Sequence, residues 1–294
     1  MRGLSFILSI LLGHNQQAMN MNSTEVKQSD VSVEQDRINA EVFHAPSITT
    51  EYSVRGLDIP ESLALLKYHN DVVGKDVLDI GIGTGRTTRI LQPLARRYVG
   101  VDYSEPMVQH VRKVLPQVDA QQADMRKLGA WVESSFDLVF ASNNVFDAVV
   151  HDDRLQTLRE VHRVLRPGGL LMFSAHNRGA PSVMNQLQPS LHRSRNPFTQ
   201  LRYLRHFRQQ QRNARRLAPL HVTTPEYAIL SDAGAHNCSL LLYFIDRHHQ
   251  QRQLEGCGFT SLSVIDRDGY ILAPHELGEL SSGLFYVARR SLEP

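Results

Sequence analysis

The chain has 294 residues, of which 41% are hydrophobic and 21% charged, and its formal net charge is +2. These values are typical of a globular protein with one sizeable core, and so small a net charge does not by itself indicate a polyanion partner. Two cysteines, Cys238 and Cys257, exclude a disulfide framework and lack the spacing of metal ligands, which favours a reducing, cytoplasmic compartment.

The N-terminal segment resembles the front of a secretory signal, because Arg2 is followed by an apolar run over residues 4–12. The run is too short to span a bilayer. We interpret it as an over-extended reading frame or a tail, with Met19 and Met21 as alternative starts. The polar stretch that follows lacks apolar periodicity, so we expect residues 1–36 to form a flexible lead-in.

Helices and strands alternate from residue 59 to residue 177. The predicted helices cover residues 59–68, 86–96, 106–115 and 153–165, and the predicted strands cover residues 76–80, 98–102, 136–141 and 170–175, with a further strand ending near Asp124. Regular βα repetition with short connections predicts an α/β fold with a doubly wound, Rossmann-like, mostly parallel sheet.

The alternation stops after Asn177. Residues 178–245 contain a predicted helix at 198–216 and a predicted β-hairpin at 227–230 and 240–245, which we interpret as an inserted lid over the acceptor. A helix that begins after Asp246 and two strands, at 261–266 and 284–289, then complete the core. The predicted domains are thus a core at 37–177, a lid at 178–245 and a completing segment at 246–294.

A glycine-rich loop follows the first strand, where Asp79 precedes Gly81, Gly83 and Gly85. Glycine allows a positive φ and lets the backbone approach a ligand, although such a cluster can also be a tight turn without a ligand. A dinucleotide fingerprint needs a glycine three positions after the second one, where this chain has Arg86. The acidic residue before the loop suits a cofactor with a cationic amino group and a sulfonium.

Carboxylates follow the next two strands as well. Asp102 lies about twenty residues after the loop, the spacing at which an acid reaches ribose hydroxyls. Tyr103 and Met107 are placed to pack on an adenine, and Asp124, with Met125 beside it, can accept from the adenine amino group. We therefore predict S-adenosylmethionine as the cofactor.

On these motifs the chain resembles the class I S-adenosylmethionine-dependent methyltransferases, of the bacterial small-molecule type. The resemblance is close over residues 74–177 and includes the segments 136–139, 143–147 and 165–169. It implies a seven-stranded sheet with a reversed last strand, and S-adenosyl-L-homocysteine as the product. By the same resemblance the cofactor-binding residues are Asp79, Gly81, Gly83, Gly85, Asp102, Tyr103, Met107, Asp124, Met125 and Asn143.

Acceptor and catalytic residues should follow the fourth and fifth strands. The candidates for catalysis are His176, Asn143 and Asp147, and histidine is the residue type whose ordinary pKa suits a base at neutral pH. The candidates for acceptor binding are Tyr52, His151, Asn177, Tyr227, His236 and Tyr243. Each of them could instead be a packing residue, and Asn143 could bind the cofactor through its backbone.

An arginine-rich segment leaves the acceptor class open. No Asp or Glu occurs between Val161 and Pro225, whereas eight arginines fall within residues 193–216. Such a run can be a solvated helix face, steer an anionic, secondary-metabolite-like substrate, or bind RNA phosphates.

We expect a small-molecule acceptor rather than nucleic acid, no membrane partner, and a monomer or homodimer. The alternatives are an RNA methyltransferase, a non-catalytic cofactor-binding protein, and a metal-dependent enzyme that uses Asp147, Asp152 and Asp153. We predict no metal.

Overall fold

The computed structural model describes residues 32–44, 56–181, 183, 187–233 and 236–292. The predicted signal-like segment and Tyr52 lie outside these residues. A first helix, α1, covers residues 32–43, so helical structure begins before the predicted end of the lead-in at residue 36. The pattern escaped detection because two of its buried residues are polar: the side chains of Gln35 and Asn39 both donate to the carbonyl of Leu241.

The other elements follow in chain order. The helices are α2 (Ile59–Lys67), α3 (Thr88–Leu94), α4 (Glu105–Val114), α5 (His151–Val164), α6 (Pro197–Leu217) and α7 (Arg247–Gly256). The strands are β1 (Asp76–Ile80), β2 (Arg97–Asp102), β3 (Ala120–Gln122), β4 (Phe136–Ala141), β5 (Leu165–Asn177), β6 (Val222–Thr223), β7 (Tyr227–Ser231), β8 (Leu241–Ile245), β9 (Phe259–Asp266) and β10 (Gly283–Arg290). Short 3-10 turns lie at Val145–Ala148 and His236–Cys238.

The described strands form one ten-stranded sheet, not the seven-stranded sheet predicted. Strands β3, β2, β1, β4 and β5 are neighbours in that order and run parallel. Strand β10 pairs antiparallel with both β5 and β9. Successive residues of β1 point to opposite faces of the sheet and belong to different apolar clusters, Val77 to one and Leu78 to the other. Apolar side chains therefore cover both faces of the sheet.

Three additional strands extend the sheet at the carboxyl end of β5. His176 pairs with Phe244 of β8 and with Gly283 of β10, which therefore lie on opposite edges of β5. The register of β4 with β5 ends at Phe173, so β8 takes up the edge beyond β4, and β7 and β6 follow. The predicted hairpin is thus part of the sheet, because β5 continues to Asn177 rather than ending at residue 175.

Helix α6 lies outside the apolar cores except at its last residue, Leu217. Within its 21 described residues, Leu217 alone is buried. Its side chains contact the turn after β7, where Gln210 donates to the carbonyl of Ala233 and Asn213 to that of Asn237. No helix among the described residues is long and apolar enough to cross a bilayer.

Candidate active site

A cavity of about 450 Å³ opens at the carboxyl ends of β1, β2, β3 and β4. This is the edge at which parallel α/β sheets bind ligands, because helix N-termini and loop amides converge there. Eight of the ten predicted cofactor residues line it: Gly81, Gly83, Asp102, Tyr103, Met107, Asp124, Met125 and Asn143.

The three glycines of the loop share a backbone conformation but differ in what a Cβ at each position would contact. All have positive φ, +73° at Gly81, +52° at Gly83 and +85° at Gly85. A Cβ on Gly81 would lie 2.4 Å from Val145 Cγ2, whereas a Cβ on Gly83 would meet no described atom within 4 Å. Gly85 packs towards α4, not into the cavity. Gly83 is therefore the glycine that leaves room for a ligand.

Asp102 is fixed by the backbone of both neighbouring loops. Its Oδ2 accepts from the amide of Gly83 at 2.8 Å, and its Oδ1 accepts from the amide of Ser104 at 2.8 Å. Burial raises the pKa of this carboxyl, and the two amides partly oppose the rise. Each oxygen keeps a further lone pair for a ligand hydroxyl.

Asp79 is buried behind the loop and is not among the cavity-lining residues described. Its Oδ2 accepts from the hydroxyls of Thr87 (2.6 Å) and Tyr98 (2.7 Å), so the carboxyl ties the loop to β2. Its Oδ1 is buried and has no hydrogen-bond partner within the described chain. Burial raises the pKa of Asp79 to about 7. Asp79 is predicted to bind the cofactor, and that role stays a prediction: its carboxyl lies behind the loop and not in the wall of the cavity.

The predicted adenine end of the cavity is an ion-pair cluster. Arg126 binds Asp124 at 2.8 Å, Asp36 of α1 at 2.6 Å and Asp153 of α5 at 2.8 Å. Burial disfavours the charged form of Asp124, but the side chain and amide of Arg126 outweigh it and lower the pKa of the carboxyl. Helix α1 thereby forms a wall of the cavity, which the sequence analysis missed.

Two of the three predicted catalytic residues are in direct contact. Asp147 Oδ2 accepts from the amide of His176 and from its Nδ1, each at 2.7 Å, and Asp147 Oδ1 accepts from Arg154 at 2.5 Å. In the neutral imidazole this contact places the proton on Nδ1 and the lone pair on Nε2, which can then accept from the side-chain amide of Asn144 at 3.1 Å. Asp147 and Arg154 are fully buried, whereas His176 lines the cavity.

A second cavity, of about 240 Å³, lies on the other side of His176. Its walls come from the start of α2, the end of β5, the start of β10, and Phe244 of β8. Asn143, Asn144, His176, Asp232 and Arg267 line both cavities. The imidazole of His176 therefore stands at the junction between the two.

Most of the predicted acceptor residues are elsewhere. His151 stacks on Tyr227 with ring centroids 4.3 Å apart and bonds the hydroxyl of Tyr243 at 2.8 Å, in a packed cluster away from both cavities described. The side-chain amide of Asn177 donates hydrogen bonds to the carbonyls of Gly278 and Ser281. Of the predicted set within the described residues, His236 alone lines a cavity.

Known proteins match this chain over the stretch that forms most of the first cavity. Residues 77–169 match the family described as methyltransferase domain. The chain therefore carries a methyltransferase domain at these residues. A probable S-adenosylmethionine-dependent methyltransferase of Mycolicibacterium smegmatis is 38% identical over 106 residues, a match that spans 36% of this chain and 39% of that relative.

Solved structures support the methyltransferase fold over a longer stretch. An S-adenosylmethionine-dependent methyltransferase from Mesorhizobium loti superposes with a TM-score of 0.51 and 22% identity, covering 79% of this chain and 98% of that one. The Burkholderia thailandensis 1,6-didemethyltoxoflavin-N1-methyltransferase, solved with its substrate and S-adenosylhomocysteine, gives a TM-score of 0.54 at 14% identity and covers 88% and 90%.

The methyltransferase residues present here fit S-adenosylmethionine. Asp102 has lone pairs for the ribose hydroxyls, Gly83 leaves open space above the loop, and Asp79 presents a buried oxygen without a donor among the described residues. A cationic amino group would suit that oxygen.

Sequence reasoning missed two arginines of this candidate site. Arg86 binds Glu61 through both of its terminal nitrogens, at 2.6 and 2.8 Å, and links α2 to the glycine loop. Arg154 lies four residues before Leu158 and seven before Val161, both on the buried face of α5. That spacing was the available signal, because an arginine on a buried helix face requires an acidic partner.

Proposed function

We propose that this protein transfers the methyl group of S-adenosylmethionine to a small-molecule acceptor, and that His176 receives the proton that the acceptor loses. The observation that carries the proposal is the position of His176 at the junction of two cavities. The larger cavity has the residues that suit the cofactor. The smaller one, at about 240 Å³, has the size of a compact metabolite.

Methyl transfer of this kind is a direct displacement. S-adenosylmethionine supplies an electrophilic methyl carbon on a sulfonium; the acceptor's lone pair forms the new bond to that carbon as the carbon–sulfur bond breaks. The protein must align the acceptor and remove its proton. His176 Nε2 would exchange its hydrogen bond from Asn144 for one from the acceptor and take up the proton. Arg267, which lines both cavities, would hold an anionic substituent.

Asp147 acts through His176 in this proposal rather than on the acceptor. It is fully buried, so it fixes the proton on Nδ1 and stabilises the imidazolium once Nε2 is protonated. Arg154 in turn holds Asp147 and donates to Gln250 at 2.6 Å. We therefore propose a positioning role for Asp147 in place of the predicted catalytic one.

The experiment uses S-adenosylmethionine with a labelled methyl group, incubated with the protein and metabolite extracts, with and without nuclease. We expect label in a low-mass, nuclease-resistant product with the wild type and with His275→Ala, which changes an exposed histidine. His176→Ala should lose that product but still bind S-adenosylhomocysteine in calorimetry. Label in nuclease-sensitive or protein fractions would refute the small-molecule acceptor, and full turnover by His176→Ala would refute the base.

A further inference from the structure

Helix α6 presents a face of arginines that the proposed function does not use. Besides Arg216, it contains five exposed arginines: Arg202, Arg205, Arg208, Arg212 and Arg215. At 3.6 residues per turn they fall within an arc of about 140°, so they form one continuous basic face. None of the ion pairs found among the described residues involves them, whereas Arg216 lies near enough to lower the pKa of Glu34, after the larger effect of Arg37.

The same face carries exposed apolar side chains at its start. Phe198 is 84% exposed and Leu201 is 47% exposed, and both fall within the arc of the arginines. Leu191, shortly before the helix, is exposed as well. These apolar side chains are unexpected on a helix face that only contacts water. Large exposed apolar groups next to cations are typical of helices that lie on a membrane surface.

We propose that α6 binds the surface of an anionic phospholipid membrane through this face. Phe198 and Leu201 would enter the boundary between headgroups and acyl chains, and the arginines would bind the lipid phosphates. RNA would engage the arginines, but it gives no role to Leu191 and Leu201, which cannot stack on bases. We expected no membrane partner from the sequence, yet surface binding needs no membrane-spanning segment.

The location of α6 places such a surface beside the active site. The helix holds the turn after β7 through Gln210 and Asn213. That turn carries His236, and His236 lines the larger cavity. A bound membrane would therefore lie next to the segment that borders the cavities, although the proposal does not depend on the identity of the acceptor.

Vesicle sedimentation of the full chain tests the proposal. We compare vesicles of phosphatidylcholine with vesicles in which about a third of the lipid is phosphatidylglycerol, at low and high ionic strength. We expect binding to the anionic vesicles at low ionic strength and none to the neutral ones. Each arginine near an anionic surface should strengthen binding about fivefold, so a variant with Arg205→Gln, Arg208→Gln and Arg212→Gln should bind about a hundredfold more weakly.

The matched control replaces three exposed arginines outside α6, Arg89, Arg159 and Arg252, with glutamine, and it should bind like the wild type. Phe198→Ser should weaken binding without changing its dependence on salt. Equal losses in the two triple variants, or tight binding to RNA oligomers with no sedimentation on anionic vesicles, would overturn the proposal. The exposed positions leave the core intact, and circular dichroism of each variant verifies this.

Discussion

Replacing Asp102 by asparagine should be as damaging to cofactor binding as replacing it by alanine. Both oxygens of Asp102 accept from backbone amides, from Gly83 and from Ser104. An asparagine must turn its NH₂ group towards one of these amides, which brings two donors together and displaces the loop. Loss of two charge-assisted hydrogen bonds to ribose hydroxyls costs about 3–6 kcal/mol, or about a hundredfold to ten-thousandfold in Kd.

The assay is calorimetric titration with S-adenosylhomocysteine, which binds without turnover. Asp119→Asn is the matched control, because Asp119 is exposed, precedes β3 and does not line either cavity described. Thermal unfolding of each variant checks that the fold survives. If Asp102→Asn binds within about threefold of the wild type while Asp102→Ala does not, the donor conflict is not real and the reasoning fails.

Three further predictions concern the loop and the base. Gly83→Ala should weaken cofactor binding and lose only about 1 kcal/mol of stability, from the strain of a positive φ. Gly81→Ala should lower the melting temperature, because the added Cβ would clash with the side chain of Val145. Thermal unfolding and calorimetric titration of both variants separate the two effects. The pKa of Asp79 is about 7 in the folded protein, against an ordinary value of 3.8. Because the unfolded chain loses this proton more readily than the folded protein does, Asp79 lowers the free energy of unfolding progressively as the pH rises from about 4 to 7. Asp79→Asn should therefore stabilise the apoprotein at pH 8 by about 2 kcal/mol while weakening cofactor binding, and unchanged or lower stability at pH 8 would contradict the burial of a charge. His176→Ala should reduce kcat by about a hundredfold to ten-thousandfold with cofactor affinity unchanged, measured once the acceptor is known; parallel losses of both would indicate a structural role instead.

Most of the residues that line the first cavity could be predicted from the sequence because their signals are local. Buried strands end directly in glycines and carboxylates, so Asp102 and Gly83 could be placed without knowledge of the tertiary structure. Asp246, predicted to cap a helix, accepts from the amide of His249 at the start of α7. Predictions of this kind depend on a few neighbouring residues, and tertiary packing rarely overrides them.

The second cavity was predicted less well because its lining depends on contacts between distant segments. His151 follows β4 as a pocket residue would, yet it stacks on Tyr227 at the start of β7. Helix α1 was missed because two of its three buried residues, Gln35 and Asn39, are polar, and no local pattern revealed that β8 would pair with the end of β5. Cytoplasmic location, oligomeric state and the division into domains stay predictions.

The end of β5 pairs with β8 along one edge and with β10 along the other. This double pairing holds the backbone of His176 in a fixed position. The first cavity is built mainly from one continuous stretch, residues 80–149, while much of the second comes from segments before and after it. Under the proposed function, most of the donor site would come from one stretch of the sequence and much of the acceptor site from its flanks. Substitutions at residues 58–61 and 283–285, which line only the second cavity, should then change the choice of acceptor while the first cavity keeps its lining.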